Sequence, residues 1–128
     1  MPSLRSRFHR PVRASRPQPR DPDRMNKVEE RYALRLKLLQ SAGEILHYGF
    51  QPEKLRLADR TWYAPDFRVI MGDCSVEFHE VKGSWDHGET FHAEDDAMVK
   101  IKVAAELHPY IFKIVWPSKD GGWEVREY

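Results

Sequence analysis

In the stretch YAPDFRVIMGDCSVEFHEVKG, residues 63–83, the side chains with chemistry to do are Asp66, Glu80 and Lys82. Two carboxylates aimed at one point make an all-oxygen site suited to a hard cation such as Mg²⁺ or Mn²⁺. An ammonium beside them can hold an attacking water or stabilise an oxyanion, as phosphoryl transfer requires. The stretch itself predicts how they meet. Residues 66–71 and 75–82 are rich in Phe, Val and Ile and flank Gly72-Asp73-Cys74, the pattern of two strands joined by a tight loop. Side chains alternate along a strand, so Val76, Phe78, Glu80 and Lys82 share a face, and Asp66, Arg68 and Ile70 share one on the other strand. A three-residue loop sets Met71 opposite Ser75 and Asp66 opposite Glu80, both pointing the same way; a four-residue loop would send Asp66 to the far face. The three-residue loop makes chemical sense of the charges. On spacing alone, an Asp capping a turn and a structural Glu–Lys pair on a solvated strand would look the same.

Pro65-Asp66 followed on the next strand by Glu80-Val81-Lys82 resembles the motif of the PD-(D/E)XK nuclease superfamily. The segments NKVEERYA, LRLAD, PDF, EVKG and VKIKVAAE, in this order over about residues 26–116, are similar to small phage and prophage proteins of that superfamily, which are junction-resolvase-like. The resemblance implies a restriction-endonuclease-like α/β core and a Mg²⁺- or Mn²⁺-dependent endonuclease hydrolysing DNA phosphodiester bonds, with branched or recombination-intermediate DNA an attractive substrate. It implies that Asp66, Glu80 and the backbone carbonyl of Val81 hold the metal and that Lys82 activates water. It also implies that Glu29, matching an acid that many relatives carry on the first helix, serves a second metal or its water network. A homodimer follows only if both strands are cut. The relatives work in the cytoplasm of a bacterial host. Cys74 stands where they tend to carry Gly, which bears on loop geometry. A non-catalytic nucleic-acid-binding protein on the same fold and an RNA nuclease are the alternatives.

The elements that must position these residues can be read along the chain. The 128 residues suffice for one domain, 25–128, and a tail. The net charge of +1 is uneven. Residues 1–24 carry seven Arg against two Asp, so the remainder is net acidic. This arm is Arg- and Pro-rich with few core formers, and is expected to be disordered when free. Its Arg5, Arg7, Arg10, Arg13, Arg16 and Arg20 are candidate phosphate contacts. A solubilising leader, or an extension upstream of a start at Met25, would have the same composition. One cysteine excludes an intramolecular disulfide framework and fits a reducing compartment. No apolar run approaches a membrane span.

Asn26 reads as an N-cap with Glu29 placed for a capping box, opening a helix to about Ala42 that stops at Gly43. Tyr32, Ala33, Leu36 and Leu39 form its inward stripe; Glu29 lies on that stripe and Glu30 off it. Residues 45–50 and 54–58 read as strands, with a turn at Asp59-Arg60. Trp62 and Tyr63 suit either base stacking or core cover, core cover being commoner beside strands. Residues 84–92 read as a mobile polar loop, and their His87, His92 and Asp86, with His79, match no zinc spacing. A second helix over about 94–107 buries Met98, Ile101, Ala105 and Leu107. It carries Lys100 and Lys102 as further candidate phosphate contacts. Residues 111–116 read as an interior strand reached by a parallel crossover, and 123–128 as a final strand. The order α, β, β, β, β, α, β, β predicts an α/β domain with a mixed sheet flanked by helices.

Overall fold

The computed structural model describes residues 21, 23–85, 90–91 and 95–128. Helix α1 spans Lys27–Ser41 and opens on the expected capping box. The Asn26 side chain accepts from Glu29 N at 2.8 Å, and the Glu29 carboxylate accepts from Asn26 N at 3.1 Å. It closes as a Schellman motif, Glu44 N–H donating to Leu39 O and Gly43 N–H to Gln40 O. Gly43 has φ of +79°, a left-handed turn that a Cβ would strain. Tyr32 and Leu36 are buried, while Leu34 and Leu38 face outward.

Strands β1 (Ile45–Phe50), β4 (Phe67–Met71), β5 (Val76–Val81), β8 (Ile111–Pro117) and β9 (Trp123–Glu127) make one mixed sheet in the order β1-β4-β5-β8-β9. Only β5 and β8 are parallel, joined across helix α2 (Asp95–Leu107) as the apolar run at 111–116 predicts. On one face Tyr32 and Leu36 of α1 pack with Ile45, Phe67, Val69, Val81 and Val115. On the other, Ile101 and Ala104 of α2 pack with Phe78, Phe112, Ile114 and Trp116. With both faces covered, the central strands can be apolar on both sides, as β8 is. The inward side of α2 uses Ala104 where Leu107 was expected. Leu107 is 56% exposed, because at 3.6 residues per turn it is rotated away from the stripe of Met98, Ile101, Ala104 and Ala105.

Two features depart from the expected order. Residues 55–58 join no main-sheet strand: β2 (Leu55–Ala58) pairs with a further strand, β3 (Thr61–Tyr63), as a separate hairpin. Leu55 and Tyr63, opposite each other, enter the α2-side core. Arg60 takes φ of +54° to close the turn. The polar segment after Gly83 holds two short paired strands, β6 (Ser84–Trp85) and β7 (Thr90–Phe91), where a loop without strands was expected. Trp85, Thr90 and Phe91 are of strand-forming types, and the ladder pairs Trp85 with Thr90 and Ser84 with Phe91. His87, His92 and Asp86 lie outside the described residues, as do the six arm arginines from Arg5 to Arg20. Among the described residues no helix is long and apolar enough to cross a membrane.

Candidate active site

The β4–β5 hairpin has the three-residue loop. Phe67 pairs with His79 and Ile70 with Val76, a register that continues to Met71 opposite Ser75 and Asp66 opposite Glu80. Met71 N–H donates to Ser75 O at 2.9 Å and Cys74 N–H to Met71 O at 2.9 Å. Cys74 adopts φ of +69°, the left-handed position that such loops need and that glycine fills without strain. The Asp73 carboxylate accepts from both the amide and the hydroxyl of Ser75, fixing the loop from within.

Asp66 and Glu80 are each only 9% exposed. Asp66 Oδ2 accepts from Val81 N–H at 2.8 Å, so the backbone of the neighbouring strand orients it. Glu80 Oε2 accepts from the Tyr63 hydroxyl at 2.8 Å, and Glu80 Oε1 lies 3.4 Å from Lys82 Nζ. Burial first, and then the Glu80 charge, push the Asp66 carboxyl up to about 8, against the lowering effect of Val81 N–H and Lys82. Burial raises Glu80 as well, opposed by Lys82 and Tyr63. Near neutral pH the pair therefore retains a shared proton, since two buried carboxylates cannot both ionise against one ammonium.

That shared proton is the test of whether a metal ion fits. The donors are all oxygens and the pair is short of positive charge, so a divalent ion would supply what the proton supplies. Among the described residues no three His, Cys, Asp or Glu side chains are grouped to form a cage. Mg²⁺ commonly takes one or two carboxylates and completes its shell with water and phosphate, so two acids with an adjacent backbone carbonyl, that of Val81, are sufficient. Glu29 is 3% exposed on the α1 stripe, as expected, whereas Glu30 is exposed. Its carboxylate is engaged by both the amide and the side chain of Asn26. Its charge reaches Asp66, raising that carboxyl further. Glu29 is thus near the pair and capping the helix at once.

A cleft of about 370 Å³ opens over Glu80, lined by Lys54, Trp62, Tyr63, Lys82 and Lys100. Lys100 sits 3.5 Å from Asp96 on the same helix. Lys102 is exposed and does not line the cleft. Tyr63 and Trp62, treated alike in sequence, divide: Tyr63 is buried with its hydroxyl on Glu80, and Trp62 is 49% exposed in the cleft. A register shift between Arg56 and Ala58 separates them: it pairs Trp62 with the exposed Arg56 and Tyr63 with the buried Leu55, where a regular two-residue turn would have set Tyr63 opposite Arg56.

His79 alternates away from Glu80, as its position predicts, and enters a second polar cluster on the α1 face. It is hydrogen-bonded to the Tyr32 hydroxyl through Nδ1 and to Glu77 through Nε2 at 2.9 Å. Lys113 Nζ lies 2.8 Å from the same Glu77 oxygen. The His79 hydrogen bond and Lys113 hold the Glu77 carboxyl below its usual range. This cluster ties α1 to β5, so the helix that carries Glu29 and the strand that carries Glu80 are pinned together. No family model, curated protein or solved structure matches the chain.

Proposed function

We propose that the chain is a metal-dependent endonuclease of the PD-(D/E)XK kind, hydrolysing DNA phosphodiester bonds. The observation that carries the reading is a pair of buried carboxylates, Asp66 and Glu80, held by Val81 N–H and the Tyr63 hydroxyl, with Glu80 lining a cleft that Lys54, Lys82 and Lys100 also line. The helix, hairpin, crossover helix and parallel strand that surround the pair support a restriction-endonuclease-like core. Asp66, Glu80 and the Val81 carbonyl would hold Mg²⁺ or Mn²⁺. An ion held there would supply charge neutralisation at the scissile phosphate and a lowered pKa for water. Lys82 orients the attacking water beside Glu80, and Lys54 and Lys100 draw the phosphate chain into the cleft. Tyr63 and Val81 N–H keep the carboxylates aligned, and Glu29 adds negative charge behind Asp66.

The assay is cleavage of supercoiled plasmid, linear duplex, single strands, a four-way junction and RNA, each with Mg²⁺, Mn²⁺ or EDTA. Cleavage of DNA with either metal and none in EDTA is expected, and branched substrates test the resolvase likeness. Inertness toward every substrate with both metals would overturn the reading. One rival is a nucleic-acid-binding protein without catalysis, which the lysines of the cleft and the exposed Trp62 within it would serve equally well. That rival predicts binding to these nucleic acids with no metal-dependent product.

A further inference from the structure

We infer that the cleft over Glu80 takes one unstacked nucleobase on the face of Trp62, so that the site acts beside an unpaired nucleotide in preference to intact duplex. The inference rests on the nuclease reading and names the substrate feature that the same site selects. Trp62 stands on β3, one residue before the Tyr63 that holds Glu80, and its strand partner Arg56 is also exposed. The hairpin is fixed from below. Leu55 and Tyr63 are in the core, and His108 Nε2 bonds to Arg56 O at 2.9 Å, tying the hairpin to the end of α2. An indole left 49% exposed on so anchored a support is a rigid platform.

Its surroundings say what the platform is for. A single exposed aromatic is ordinary on a protein surface. Here it shares a cleft with Lys54, Lys82 and Lys100, set against the acids Glu80 and Asp96. Cations that follow a phosphate chain beside an aromatic that stacks on a base are the two components of single-strand recognition. The Lys100–Asp96 pair is largely solvated, with Asp96 78% exposed, so it leaves Lys100 available to phosphate. In a paired duplex both faces of each base are covered by neighbours, so Trp62 finds a free face only at a bulge, branch, flap or end. A cleft of about 370 Å³ belongs with sites for a small ligand, not with a groove that embraces a double helix.

The test compares wild type, Trp62→Ala and Trp62→Phe in the full chain on three duplexes: fully paired, with one unpaired nucleotide, and with an abasic residue at that unpaired position. Because Trp62 is outside the core, its replacement leaves the fold in place. The expected readout is a ratio of kcat/KM, unpaired over paired, that falls about 5- to 150-fold in Trp62→Ala, the range of base–aromatic stacking. Trp62→Phe should restore most of that ratio, and the abasic substrate should lose the advantage in wild type. Quenching of tryptophan fluorescence by a four-nucleotide single strand in EDTA supplies a readout independent of cleavage, expected in wild type and lost in Trp62→Phe. Cleavage with the same ratio in wild type and Trp62→Ala overturns the inference and leaves the nuclease reading standing. Quenching lost in Trp62→Phe, with no cleavage by any form, overturns the nuclease reading and supports base binding at Trp62.

Discussion

Replacing Asp66 by Asn removes one titrating carboxyl while keeping a side-chain oxygen to accept from Val81 N–H. In the folded chain the Asp66 carboxyl is pushed up to about 8 from an ordinary 3.8. A group whose folded pKa is raised holds a proton that the unfolded chain has released, so its contribution to stability is greatest at low pH and is lost as pH climbs toward the folded value. One such proton gives a slope of about −1.4 kcal/mol per pH unit between roughly pH 5 and 7.5. Glu80, raised by burial, has the same sign. Glu77, Asp73 and Asp120 are lowered, so their stability is lost only as pH falls below the ordinary carboxylate range, outside this window. Histidines are common to both proteins and cancel in the difference. Urea denaturation in EDTA at pH 5.5, 6.5 and 7.5 should therefore show Asp66→Asn gaining on wild type by about 3 kcal/mol across the series, at most. Saturating Mg²⁺ should flatten the wild-type slope, since an ion replaces the proton. Parallel stability–pH curves for the two proteins in EDTA would refute the claim that Asp66 carries the shared proton.

Tyr63→Phe leaves Glu80 Oε2 without its hydroxyl partner and should cost about 1–3 kcal/mol in denaturation, with a matching loss of Mg²⁺ affinity by calorimetry. Unchanged affinity would mean that Tyr63 is core cover alone. Glu29→Gln should slow cleavage, while Glu30→Gln, on the exposed side of α1, should leave single-turnover rates within twofold; the reverse ranking would show that the Glu29 charge is irrelevant to Asp66. A chain starting at Met25 should still cleave at saturating DNA but bind with a flatter salt dependence, since each phosphate neutralised on duplex contributes about −0.9 to the slope of log affinity against log salt. Identical slopes would move the basic footprint to Lys54, Lys82 and Lys100.

What was legible in the sequence was whatever local pattern decides. Period-two alternation gave the faces of the hairpin but left its loop at three or four residues; the chemistry of Asp66, Glu80 and Lys82 chose the three-residue loop, and the pairing of Phe67 with His79 agrees with it. The capping box at Asn26 and Glu29 and the stop at Gly43 were equally local. Pairings between distant segments were less accessible. β3 is three residues long, too short for a periodic signal, and exists because Leu55 and Tyr63 close over α2. With that strand unread, the Tyr63–Glu80 bond and the outward turn of Trp62 were hidden too. The Tyr32–His79–Glu77–Lys113 cluster joins α1, β5 and β8 from separate parts of the chain, and no spacing along the sequence announces it.

The most direct test of the central claim is single-turnover cleavage of DNA in Mg²⁺ by wild type and by Glu80→Gln, the two proteins matched by melting profile. Wild type should cleave and EDTA should abolish the cleavage, and Glu80→Gln should be at least about a hundredfold slower, on the scale of losing a group that stabilises the transition state. Equal rates in the two proteins would place the chemistry elsewhere on the molecule and contradict the account.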